Sequence, residues 1–227
     1  MSSGLIAVVP ARAGSKRLPG KNSIEVAGKS LIARAVFAAL GCQEIDRVFV
    51  DTDSPALRDI AREAGAEVPY LRPAHLAADD ATTAATILHL LEYLRIKENY
   101  SPEAVVTLQP TSPLRSALDV KTVVAKWKEI PQRPAASVCR PLQSPRDLLL
   151  RTQFGEWIRL APDCDYTEIM FEDGSVYVTP VSYLREKCLI FRPEDGEVAE
   201  IPPLHGIDVD EPFQLEVARA LAAWTTH

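Results

Sequence analysis

Cysteine is scarce and dispersed in this sequence. Cys42, Cys139, Cys164 and Cys188 form no CxxC pair and no dense framework, which excludes a zinc ribbon or disulfide scaffold and points to thiols in a reducing compartment. Long apolar runs are missing as well. None approaches the roughly 20 residues that span a bilayer, and the apolar stretch near the start has neither the length nor the basic flank of a secretory signal. Positive charge is in deficit: 25 Lys and Arg stand against 31 Asp and Glu, for a net charge of −6. General nucleic-acid binding is therefore disfavoured, and any anion site must be local. His75, His89, His205 and His227 show no metal spacing, and nothing suggests a Ser/His/Asp triad. There is no internal repeat and no low-complexity segment. These absences lead us to expect a soluble cytoplasmic protein, with 1–227 a single domain that has no membrane or nucleic-acid partner.

What is present begins with strands alternating with helices. "LIAVVP" (5–10), "RVFVDTD" (47–53), "EVPYLR" (67–72) and "AVVTLQ" (104–109) read as strands, mostly of the buried parallel type. Between them the period turns helical: over Lys29 to Leu40, after Ser54-Pro55 as far as Gly65, and where Ile87, Leu90, Leu91 and Leu94 recur. Ser116 and Asp119 have capping-box spacing ahead of Val120, Val123, Val124 and Trp127. The pattern predicts an α/β fold with a mostly parallel sheet and helices on both faces. Near "EIPQRPAASV" the rhythm breaks. From about 139 to 180, "DLLLRTQFGEWIRL" and "FEDGSVYVTP" each place a glycine between apolar-rich arms, and we read them as a hairpin or extended insert.

Against the acidic total, "VVPARAGSKRLPGKN" (8–22) gathers Arg12, Lys16, Arg17 and Lys21 with no acid among them. A strand running into a glycine-containing loop is where α/β sheets hold phosphates. Walker A spacing fails, because five residues separate Gly14 from Gly20 and Asn22 follows Lys21; no GxGxxG is present. What remains is a loop of backbone donors and cations suited to a triphosphate, the bland alternative being a solvated basic loop. "GIDVDEP" sets Asp208 and Asp210 at i, i+2, on one face of an extended segment. That pair suits Mg²⁺, or is a solvated turn.

The loop "PARAGSKRLPGKN" closely resembles the amino-terminal motif of the CMP-sugar synthetases, specifically the acylneuraminate (CMP-nonulosonate) cytidylyltransferase group. The similarity recurs in "LRPAHLAADDATT" (71–83), "LQPTSPLR" (108–115) and "GIDVDEPFQLEVA" (206–218). The related Kdo cytidylyltransferases differ where "LQPTSPLR" stands here and come second, ahead of a non-catalytic nucleotide-binding protein. The resemblance implies a three-layer, Rossmann-like nucleotide-diphospho-sugar transferase fold whose 139–180 insert serves in a homodimer. It also implies a Mg²⁺-dependent enzyme that couples CTP to the anomeric hydroxyl of an acidic 2-keto-3-deoxy sugar and releases pyrophosphate.

By the same resemblance Arg12 holds the triphosphate, Lys21 acts at the reacting phosphate, and Ser15 and Asn22 complete the nucleotide cradle. Arg72, Ala81 and Thr83 match positions that read cytosine, although Thr83 could equally be a helix cap. Gln109, Asp173 and Tyr177 fall on the sugar side, while Asp208 and Asp210 match the metal pair, Asp210 being counted as catalytic. Lys16 and Arg17 read as field charges and Arg115 as structural, pairing with an acid such as Asp119. His89 reads as a boundary residue and Trp127 as core. The sequence departs from the group where its Asn-Gly pair becomes "FEDGSVYV": Asp173 replaces the asparagine, and a basic sugar-side position falls at Asp163. An extra carboxylate repels an anionic sugar by about 1 kcal/mol or more at close range. Arg146 or Arg159 from a partner's arm would offset it, and an amino substituent on the sugar would suit Asp173.

Overall fold

The run Leu5–Pro10 folds as β1, and its alternation divides the core. Leu5, Ala7 and Val9 join one apolar cluster, and Ile6 and Val8 join another, as a strand buried on both faces must. The computed structural model describes residues 4–15, 17–159 and 169–224. Its central sheet combines β1 with β4 (Arg47–Asp51), β5 (Ala104–Leu108), β6 (Ala135–Cys139), β9 (Phe171–Pro180) and β10 (Glu197–Glu200), in the order β10-β6-β9-β5-β1-β4. β4 and β5 pair parallel to β1, and β10 parallel to β6; β9 runs antiparallel to both of its neighbours.

Helices α1 (Leu31–Leu40), α2 (Pro55–Glu63) and α5 (Ala117–Glu129) cover one face of the sheet. α4 (Thr83–Glu98) and α6 (Val181–Lys187) cover the other. A short α3 (Ala74–Ala77) precedes α4, and α7 (Pro212–Trp224) closes a third cluster, where Leu215, Ala218 and Ala222 meet Leu18, Val26 and Leu31. Among the described residues no helix is long and apolar enough to cross a membrane. The helix starts have visible chemical causes. Ser54 accepts from the Leu57 N–H with Pro55 in the first turn, and Ser116 and Asp119 form the expected reciprocal capping box.

Three expectations are corrected. The first helix begins at Leu31, not Lys29: Lys29 and Ser30 form β3 (Lys29–Ser30), paired with β2 (Glu25–Val26), and Ser30 caps the helix. Residues 67–72 are not a strand, because Glu67 makes an isolated bridge to Phe49 and Pro69, lacking an N–H, cannot continue the ladder. The third concerns 171–180, expected to lie in a hairpin or extended insert outside the main sheet. It is instead one ten-residue strand of the main sheet. Gly174 takes φ +74° where the register against β6 shifts between Ala136 and Val138, a bulge that glycine admits without strain. The hairpin is confined to β7 (Leu149–Arg151) and β8 (Trp157–Arg159), turned at Gly155. The carboxyl ends of β1, β4, β5 and β6 and the start of β9 thus gather along one edge, where α/β sheets place their sites.

Candidate functional site

Beyond β1 the chain turns through the basic loop, and its conformation is fixed by donors to the β4 end. The Ala11 N–H donates to the Asp51 carbonyl at 2.9 Å and the Ala13 N–H to Asp53 Oδ1 at 2.8 Å. Asn22, buried, donates from Nδ2 to the Arg12 carbonyl at 2.9 Å, closing the loop on itself. Gly20 at φ +66° allows the turn into Lys21. The loop encloses a cavity of about 460 Å³ lined by all seven expected nucleotide positions: Arg12, Ser15, Lys21, Asn22, Arg72, Ala81 and Thr83. Lys16 lies outside the described residues. Thr82, not Thr83, caps α4, accepting from the Ala85 N–H at 3.1 Å, so Thr83 is left on the cavity wall.

The loop cations are held by acids from distant parts of the chain. Arg12 meets Asp79 at 2.8 Å, Lys21 meets Asp210 at 2.8 Å, and Arg17 meets the same Asp210 at 2.5 Å. Arg17 is therefore more than a field charge. Burial pushes the Asp210 carboxyl up, but Lys21 and Arg17 outweigh it and hold the group below the ordinary carboxylate range. Asp208 goes the other way, raised by burial and by Asp210 against a Thr111 hydrogen bond and Lys21. The segment carrying both acids is pinned by the Val209 N–H to the Thr111 carbonyl at 2.7 Å. It is pinned again by Gln214 Oε1, which accepts from the N–H groups of Asp210 and Glu211 at the start of α7.

A second cavity, of about 390 Å³, adjoins the first through Lys21, Gln109, Thr111 and Asp210. It adds Phe171, Glu172, Asp173, Gly174 and Asp208. The expected sugar-side residues divide here. Gln109 lines both cavities and Asp173 the second, while Tyr177 lines neither; it is buried, and its hydroxyl donates to Glu172 Oε1 at 2.8 Å. Asp173 is buried in the bulge of β9, where Oδ1 accepts from Ser137 Oγ at 2.7 Å and from the Ser175 N–H at 2.8 Å. Burial raises its carboxyl despite these bonds. Gly206 packs so closely that a Cβ there would lie 2.8 Å from both Asp173 Cβ and Cys139 Sγ.

Arg115 feels the charges of Asp119 and Asp173, but its hydrogen bonds go to backbone carbonyls. Its Nη1 donates to the carbonyls of Gln109 at 3.0 Å and Ser175 at 2.6 Å, tying the two sides of the second cavity together. Complete burial lowers its guanidinium to about 10, opposed by the charges of Asp119 and Asp173. Asp119 is committed to Ser116 and to His205 Nδ1 at 2.8 Å. Trp127 is core as expected, and His89 is half-buried, edge-on to Tyr70 at 5.0 Å. Arg159 donates to the Arg146 carbonyl within the arm, while Asp163 lies outside the described residues. Sequence reasoning missed Asp51, Asp79, Ser137 and His205. Each meets its partner across 21 to 86 positions of chain, so no local spacing announces it.

Residues 6–150 match a family model described as cytidylyltransferase. The chain is 32% identical to CMP-N,N'-diacetyllegionaminic acid synthase of Legionella pneumophila, the match spanning 96% of this chain and 95% of that protein. It is 28% identical to pseudaminic acid cytidylyltransferase of Campylobacter jejuni, spanning 95% of each. Among solved structures, CMP:2-keto-3-deoxy-manno-octonic acid synthetase complexed with CTP superposes with TM-score 0.72 at 19% identity, over 98% of this chain and all of that one. A 4-diphosphocytidyl-2C-methyl-D-erythritol synthase from Anaerococcus prevotii gives 0.68 at 13% identity, over 97% of this chain and 98% of that one. Both structural likenesses speak to the fold alone.

Proposed function

The chain belongs to the cytidylyltransferase family, and from that premise we propose that it couples CTP to the anomeric hydroxyl of a nonulosonic acid to give the CMP-sugar and pyrophosphate. The observation that carries this reading is the continuity of the two cavities. All seven nucleotide positions wall the first, and Lys21, Gln109, Thr111 and Asp210 lead directly into the second. A reaction joining a nucleotide to an acceptor needs that junction at the α-phosphate.

The anomeric oxygen forms its bond to the α-phosphorus as the bond from that phosphorus to the bridging oxygen breaks and pyrophosphate leaves. The hydroxyl proton goes to solvent. Arg12 and Lys21 bind the triphosphate, and Lys21, at the junction, offsets charge growing on the reacting phosphate. A triphosphate competes with Asp210 for Lys21 and Arg17, so nucleotide binding would release that carboxylate. Asp208 and Asp210 fit a divalent ion: both face the second cavity, and two carboxylates suffice for Mg²⁺, which keeps waters and phosphate oxygens as its other ligands. Among the described residues no cluster of three or more metal-ligating side chains offers a closed all-protein site. Bound there, Mg²⁺ would supply charge neutralisation and a more acidic attacking hydroxyl.

The hairpin arm presents Phe154, Trp157 and Ile158 to solvent at 81%, 64% and 47% exposure. That apolar surface supports a homodimer in which the arm meets a second copy, bringing Arg146 and Arg159 near an acidic acceptor site. A reaction that consumes CTP would suit a cytoplasmic location, where that nucleotide is made. Pyrophosphate release with CTP and Mg²⁺ across N-acetylneuraminate, legionaminate- and pseudaminate-type sugars and Kdo tests the function. Release is expected with a nonulosonate and should fall about 10²-fold or more in Asp210→Ala; release with Kdo alone would replace this reading.

A further inference from the structure

One buried acid takes no part in the chemistry above. Asp51 ends β4 with its side chain 2% exposed, against Arg72 at 5%. Arg72 Nε lies 2.8 Å from Asp51 Oδ2, and Arg72 Nη2 donates to the Asp51 carbonyl at 2.7 Å. The Arg72 N–H also donates to the Thr52 carbonyl at 2.7 Å. Backbone and guanidinium are thus both tied to the end of β4, Nη2 by its hydrogen bond to the Asp51 carbonyl and Nε by the adjacent carboxylate charge, with no hydrogen bond between Nε and Oδ2. Arg72 lines the nucleotide cavity; Asp51 stands behind it and does not.

We propose that Asp51 is the positioning residue that makes this site select cytosine over uracil, by denying Arg72 the freedom to turn. The inference rests on the cytidylyl reading above. A guanidinium carries only donors. Cytosine offers O2 and N3 as adjacent acceptors, whereas uracil has an N3–H that opposes a donor placed there. A mobile arginine would evade that clash by swinging onto uracil O2 or O4 and would accept both bases. An arginine fixed along one edge cannot, so discrimination comes from immobility as much as from charge. The ion pair also explains how a guanidinium stays at 5% exposure, since a buried charge without its partner is strongly disfavoured.

The experiment is equilibrium titration of the full chain with CTP and with UTP, whose triphosphates make identical contacts. The wild type is expected to prefer CTP; equal affinity would overturn the base reading itself and this inference with it. In Asp51→Asn, CTP affinity should fall about tenfold while UTP affinity changes less than about twofold, so the preference collapses. Arg72→Met should reproduce that loss, and the double variant should be no weaker than Arg72→Met alone, because Asp51 acts through Arg72. An equal fall for both nucleotides, no change in preference, or additivity in the double variant would reduce Asp51 to a structural role. Asp51→Glu serves if Asp51→Asn does not fold. It keeps the charge but moves the guanidinium, so an intact CTP preference in that variant would likewise overturn the inference.

Discussion

The nucleotide half and the acceptor half of the site are built on opposite electrostatic plans. Around the first cavity the cations already hold acids: Arg12 with Asp79, Lys21 and Arg17 with Asp210, and Arg72 with Asp51. A triphosphate bound there, as proposed above, would exchange one set of anionic partners for another. Among the described residues that line the second cavity, Glu172, Asp173, Asp208 and Asp210 stand beside one cation, Lys21, with Arg17 reaching Asp210 from the first cavity and Arg115 buried behind Asp173. Asp173 Oδ2 is buried there with no hydrogen-bond partner among the described residues. The contrast teaches that the nucleotide side is balanced from within one chain. On the function proposed above, the acceptor side would take its balance from ligand, ion or second subunit.

The comparison breaks most readily at Lys21, the cation shared by both cavities. Lys21→Ala should lower kcat/KM by about 10²–10³-fold in initial-rate assays; a loss below about tenfold would mean that the junction is not where charge develops. Gly206→Ala sharpens the contrast by striking one half only. Its new Cβ would press on Asp173 and Cys139, destabilising the fold by about 1–3 kcal/mol in urea unfolding. CTP affinity should hold steady, and a parallel loss would show that the halves are not separable. The smallest effect belongs to the His205–Asp119 pair. His205 is raised by its hydrogen bond to Asp119 against burial, so its contribution is full below the unfolded histidine value and is lost as pH rises through the folded one. Asp119 is raised by burial but lowered further by His205 and Ser116. Its share is present at neutral pH and is lost only as pH falls through its depressed folded value. Wild type should therefore exceed His205→Ala by about 1 kcal/mol near pH 5.5 and by less near pH 8.5, the figure being discounted for the 30% exposure of His205. A gap that widens with pH would contradict the pairing.

The basic loop was legible in sequence because its elements are local, whereas Arg72, Ala81 and Thr83 were reached through the family resemblance. Arg12 to Asn22 lie in one loop after a strand whose apolar run declares it, and the Ser116–Asp119 capping box is written at its own spacing. The acceptor half was less legible because its geometry depends on β9. Gly174 carries the same signal whether it turns a hairpin or relieves a bulge, and only pairing with β5 on one side and β6 on the other decides. Thr82 and Thr83 are adjacent and chemically alike, so which one caps is settled by where α4 starts. Pairing of Arg115 with an acid such as Asp119 holds as a charge interaction, while its hydrogen bonds go to carbonyls that the packed sheet offers, those of Gln109 and Ser175.

Lys21 and Asp210 touch across 189 positions of chain. During synthesis the basic loop therefore emerges, and β1, β4 and β5 can pair around it, long before the acid that restrains it has been made. A nascent or truncated chain ending ahead of Asp208 would carry Lys21 and Arg17 without Asp210, leaving both cations open to other anions. The segment that carries Asp210 thus restrains a loop laid down 189 positions earlier.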